Sequence, residues 1–71
     1  MKNVESTLVK SIGYNHLSEE LNVILKTSPD TIYNFKGVSR KTADEFFESN
    51  SKGQYFNKQI KGRFPTTKQV V

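Results

Sequence analysis

The spacing of apolar residues changes once along the chain, at Gly37, and that change fixes the order of its elements. Before Gly37 the hydrophobic period is two. In Leu21-Asn22-Val23-Ile24-Leu25, the residues Leu21, Val23 and Leu25 fall on one side, and Thr31-Ile32-Tyr33-Asn34-Phe35 puts Tyr33 and Phe35 together. Ser11-Ile12-Gly13-Tyr14 closes a third alternating stretch, in which Lys10, Ile12 and Tyr14 share a face. Alternation of this kind marks half-buried strands. The connections are short: a polar, turn-like Asn15–Glu20 segment, and Ser28-Pro29-Asp30, where proline presets a turn. Strands joined this closely arrange as an antiparallel meander.

After Gly37 the period lengthens to about 3.6, the helical repeat. Ser39 stands where an N-cap belongs. Ala43, Phe46 and Phe47 form an apolar stripe, with Asp44, Glu45 and Glu48 on the wet side. Ser49-Asn50 breaks the pattern. A second helix is then expected to start at Ser51-Lys52-Gly53-Gln54, whose S-x-x-Q spacing fits a reciprocal capping box, and to stop at Gly62. On it Phe56 and Ile60 point inward, while Gln54, Lys58 and Lys61 point outward. The expected fold is α+β: a three-stranded antiparallel β-meander followed by two α-helices packed on it. One domain spans residues 1–71, with its core at about 6–64 and a short C-terminal tail at 65–71.

Size sets what holds such a fold together. At 71 residues the chain buries only about 60% of the surface it exposes when unfolded, so its eight aromatic side chains must supply much of the core. Without cysteine there is neither a disulfide nor a thiolate zinc site. No apolar run approaches the roughly 18 residues of a membrane span, and the N-terminus lacks the apolar block of a signal peptide. A soluble, cytoplasmic protein with no membrane partner is the expectation.

Chemistry is narrowed by subtraction. His16 is the sole histidine and falls in a turn; Glu19 and Glu20 are loop neighbours; Asp44 and Glu48 share the solvated face of a helix. None has a partner spaced for nucleophilic, acid–base or metal chemistry, and no phosphate-loop or dinucleotide motif occurs. The chain is therefore expected to be non-enzymatic, with no cofactor, metal or small-molecule substrate.

Charge points elsewhere. The formal net charge is +4, yet residues 1–35 sum to −1 (three Lys against four acids), and residues 36–71 sum to +5 (eight Lys/Arg against three acids). From Ser49 onward there are five cations and no acid. The candidate site is thus the second helix and its flanks: Lys52, Tyr55, Asn57, Lys58, Lys61 and Arg63. Lysine suits phosphate oxygens as a point charge, asparagine can donate to phosphate or a base edge, and a tyrosine between the apolar and basic sides can stack a base. Gly53 at the helix start would allow a backbone to approach the first free N–H groups. The plain alternative is a solubilising lysine surface with Tyr55 as a half-buried rim residue.

The order Ser11-Ile12-Gly13-Tyr14, Tyr33-Asn34-Phe35, then Ser51-Lys52-Gly53-Gln54-Tyr55-Phe56-Asn57-Lys58-Gln59-Ile60 resembles the KTSC domain family, over about residues 6–64. That family is named from a C-terminal extension of some lysyl-tRNA synthetases and also occurs as small stand-alone proteins. Its tyrosine-x-tyrosine hallmark is Tyr33 and Phe35 here, so the second hydroxyl is absent. The resemblance implies an RNA-binding role and no enzymatic activity. Two partners stay open at this point. One is nucleic acid, RNA before DNA, on the basic helix. The other is an acidic protein surface bound by an adaptor or inhibitor, with Ile24 and Ile32 on exposed strand faces supplying the apolar centre.

Overall fold

The computed structural model describes residues 2–3 and 8–70. The expected meander is present as β2 (Val9–Asn15), β3 (Glu20–Leu25) and β4 (Ser28–Lys36), and it is flanked by two further strands. The two-residue β1 (Lys2–Asn3) pairs with β2, and β5 (Thr66–Val70) pairs with β4. All neighbours are antiparallel, in the order β1-β2-β3-β4-β5. The helices, α1 (Arg40–Glu48) and α2 (Lys52–Tyr55, continued by a π-helical turn, Phe56–Ile60), lie between β4 and β5 in the chain. The α+β class stands, but the strand count of three is corrected. The supposed tail is a strand, held by pairs from Thr31 with Val70 to Phe35 with Thr66, and by the Lys36 N–H donating to the Pro65 carbonyl at 3.0 Å. No described helix is long and apolar enough to cross a membrane.

Register explains which side chains face the helices. Residues directly opposite across an antiparallel ladder point the same way, so the pairs of Ile12 with Val23, Tyr14 with Leu21, Leu21 with Phe35 and Val23 with Tyr33 line one face. Lys10 departs from the expected face. The ladder slips between Val9 and Ser11, inserting Lys10 as a bulge that turns outward, so Val9 and Ile12, three apart, are both buried. A second slip corrects the turn expected at Ser28-Pro29-Asp30. The hairpin turns at Lys26-Thr27 instead, and Pro29, Asp30 and Thr31 bulge out of β4 with no partners on β3. Proline, with no N–H to give a ladder, fits such a place.

The hairpin at His16–Glu19 closes as expected, the Asn15 Oδ1 accepting from the Leu17 N–H at 3.0 Å. Glu19 has φ 54, and its carbonyl accepts from the Val38 N–H at 2.9 Å, tying the hairpin to the β4–α1 connection. In that connection Gly37 takes φ 77, a left-handed conformation that glycine adopts at little cost. Ser39 caps α1 as predicted, its Oγ accepting from the Thr42 N–H at 3.3 Å. The capping box at Ser51 does not form. The Ser51 hydroxyl caps nothing, and its own N–H donates to the Ser49 Oγ at 3.2 Å.

Among the described residues ten apolar side chains are buried: Val9, Ile12, Leu21, Val23, Phe35, Val38, Ala43, Phe46, Phe56 and Ile60. At roughly 1.5–3 kcal/mol per large side chain, they supply most of what offsets chain entropy. Three rings join the layers. Phe56 meets Phe35 of the sheet edge-on at 5.7 Å and stacks on Phe46 of α1 at 6.3 Å.

Tyr14 joins them by its polar end, the hydroxyl donating to the Val38 carbonyl at 2.6 Å. Burial raises the pKa of this hydroxyl, with the negative charges of Glu19 and Asp44 adding to the effect and Arg40 opposing it. A raised folded-state pKa means the proton is held more tightly in the folded chain. Its contribution to stability is therefore whole below about pH 10, and is lost as pH rises through the folded value. Tyr14→Phe is expected to lower the unfolding free energy by about 1–2 kcal/mol at neutral pH, read as a lower urea midpoint at unchanged slope. The same variant should lose stability less steeply than the parent above about pH 10.

Candidate functional site

The C-terminal half of the helical layer sets the site. A regular helix would pair the Lys61 N–H with the carbonyl four residues back; here it donates to the Phe56 carbonyl, five back, at 2.8 Å. This π turn keeps Phe56 and Ile60 buried and ends where Gly62, at φ 76, reverses the chain. The glycine stop was predicted; the π turn was not, and its sequence carries no signal for it. Arg63 then folds back, its N–H donating to the Ile60 carbonyl at 3.1 Å and its Nε to the Lys58 carbonyl at 3.0 Å. A cation so placed satisfies end carbonyls and suits the negative pole of the helix.

The six predicted residues divide into two groups. Lys52 and Tyr55 belong to the packing between helices. The Lys52 Nζ reaches back to the Ser49 carbonyl at 3.0 Å. Tyr55 stacks on Phe46 at 5.5 Å with 14° between ring planes, and its hydroxyl lies 3.4 Å from the Thr42 carbonyl. Burial, with a smaller contribution from Glu45, raises the pKa of that hydroxyl. One face of the Tyr55 ring is therefore already occupied by protein. Asn57, Lys58, Lys61 and Arg63 are exposed. None of these cations is tied to the acids of α1. Among the described residues the ion pair present is Arg40–Asp44, at 3.9 Å on one helix face.

Asn57 and Lys61 stand on the rim of a groove of about 430 Å³ that the sequence did not reveal. It runs between the π turn and the sheet. Leu8, Leu25, Phe35 and Phe56 supply its apolar floor, and Tyr33 and Lys68 a wall. Lys68 is opposite Tyr33 in the β4–β5 register, and its Nζ sits over the Tyr33 ring, 5.6 Å from the centroid. No acid occurs among the described lining residues. Lys68 was missed because it lay in the supposed tail. The signal for β5 was the β-branched character of Thr66, Thr67 and Val70.

Ile24 and Ile32 pair across the sheet on the face away from the helices, and both are half-buried. On the same face Asn22 lies opposite Gly13 and Asn34, with its Oδ1 buried and without a hydrogen bond.

The molecule is thus a small α+β domain with an antiparallel sheet, helices on one of its faces, and an apolar-floored, basic-rimmed groove where they part. The chain belongs to the KTSC domain family, whose model matches residues 5–64. It is similar to the KTSC domain protein YPO2434 from Yersinia pestis, whose crystal structure aligns with a TM-score of 0.83 at 27% identity, covering 99% of this chain and 93% of that one. No curated protein matches the chain. The structural likeness runs past residue 64, where the family model stops, and takes in β5.

A structural role for Tyr55 separates ring from hydroxyl. Tyr55→Phe is expected to change the unfolding free energy by no more than about 1 kcal/mol, and Tyr55→Ala to lower it by about 2–3 kcal/mol, in parallel urea titrations. Gly62→Ala should cost about 1–2 kcal/mol from backbone strain alone, since no atom lies within 4 Å of the added Cβ.

Proposed function

We propose that the chain is a non-enzymatic binding domain for single-stranded nucleic acid, RNA in preference to DNA, working through the groove and its basic rim. One observation carries the reading. Lys61 and Lys68 flank an aromatic groove with no acid among its described lining residues, and Lys58 and Arg63 lie exposed on the same stretch of chain. Single-strand binders combine these two elements, cations that follow the backbone and rings that take bases. The excess of lysine over arginine favours backbone contact over bidentate reading of base edges. Lys52 and Tyr55 do not line the groove, and in this reading they serve the packing of the helices and leave the strand to the other four.

If about three or four phosphates are neutralised, log K should fall against log salt with a slope of about −2 to −3 on single strands. A Lys61→Glu, Lys68→Glu double variant should bind at least about tenfold more weakly at moderate salt, with its fold intact by circular dichroism, because both side chains are exposed. Fluorescence anisotropy on matched RNA, DNA and duplex oligomers checks both. A flat salt response, or parental affinity in the double variant, removes the proposal. An acidic protein partner would use the same cations, and is indicated if a stoichiometric polypeptide but no nucleic acid co-purifies.

A further inference from the structure

We infer that the groove seats one unstacked nucleotide, its base against the Tyr33 ring and its phosphate between Lys61 and Lys68. The inference rests on the nucleic-acid reading for the class of ligand, and adds the position at which a base is held. Size comes first. At about 430 Å³ the groove lies within the range of small-ligand sites, and its floor of Leu8, Leu25, Phe35 and Phe56 offers apolar contact that a bare inorganic anion would leave unused.

Ring availability comes next. Phe35, Phe46, Phe56 and Tyr55 are joined in ring–ring contacts, which are the means of packing the helices on the sheet. Tyr33 has a different neighbour, the ammonium of Lys68 at 5.6 Å. That lysine is exposed and carried on a flexible stem, so it can leave the ring without disturbing the core. A base and an ammonium compete for the same π face. As the base arrives, the displaced Lys68, which lines the same groove as Lys61, is at hand to meet the phosphate. Asn57, Thr27 and Thr66 also line the groove and supply the donors and acceptors a base edge requires.

The test is an NMR titration of the full chain with adenosine monophosphate, with adenosine, with inorganic phosphate, and with a single-stranded RNA of about ten nucleotides. The monophosphate and the RNA should both move resonances of Leu25, Tyr33, Phe56 and Asn57, and phosphate alone should bind at least about tenfold more weakly than the monophosphate. Tyr33→Leu should weaken the monophosphate at least about fivefold, while Tyr33→Phe, which keeps the ring, stays within about twofold of the parent. Lys68→Gln, on a wholly exposed strand, should weaken it comparably with no loss of fold. Shifts confined to surfaces outside the groove, or a Tyr33→Leu variant equal to the parent, overturn the inference. If RNA binds Tyr33→Leu as it binds the parent, the nucleic-acid reading survives and the nucleotide seat does not. If the monophosphate fills the groove and the longer RNA binds no tighter, the seat stands with a free nucleotide as its ligand, and the RNA reading falls.

Discussion

The helical layer is joined to the sheet by a contact between rings. Phe56 touches by its ring both the sheet, at Phe35, and the other helix, at Phe46. The chain has no cysteine, and among the described residues ten apolar side chains form one buried cluster in which Phe46, Ile60 and Ala43 join Phe56 against the sheet. Aromatic pairs contribute about 0.5–1.5 kcal/mol beyond the area they bury, so this three-ring array holds a sizeable share of a small domain's stability. It also lines the groove. Phe56 and Phe35 form part of the groove's floor, so the packing that makes the fold stable is continuous with the surface offered to a ligand.

The π turn is the local device that lets Phe56 do this while the chain reverses. Segments of this kind are uncommon and concentrate at functional sites. Here the displaced hydrogen bond from Lys61 to Phe56 is followed at once by Gly62 and by Arg63 folding back onto the Lys58 carbonyl. Asn57 and Lys61 consequently reach the groove, while the end carbonyls stay satisfied. Arg63 therefore acts locally on the helix terminus with Nε, and its terminal nitrogens have no partner among the described residues.

The elements that follow a single period were legible. Three strands, the α1 stripe with its Ser39 cap, and the Gly62 stop all lie where spacing placed them. What escaped were local departures from period. The bulge at Lys10 buries Val9 and Ile12 three apart, a spacing that belongs to helices when read along the chain. Pro29 marked a bulge inside β4 where it resembled a turn. Spacing put Tyr55 between the apolar and basic sides and left both a base-stacking ring and a half-buried rim residue open; its stacking on Phe46 leaves no trace in spacing. The groove was invisible for a different reason: it is made by residues from β4, the π turn and β5, remote in sequence and joined only by register. Lys68 could be assigned no neighbour until β5 was known to lie beside β4.

β5 is joined to the rest in an unusual way. All five of its side chains are exposed, so ladder hydrogen bonds to β4 hold it with little help from buried area. A strand held so lightly belongs to the part of a structure that opens at far lower cost than the whole. The wall bearing Lys68 can therefore peel away while the core stays shut. Any anion lodged between that lysine and Lys61 would act as a clasp, fastening the last strand to its sheet.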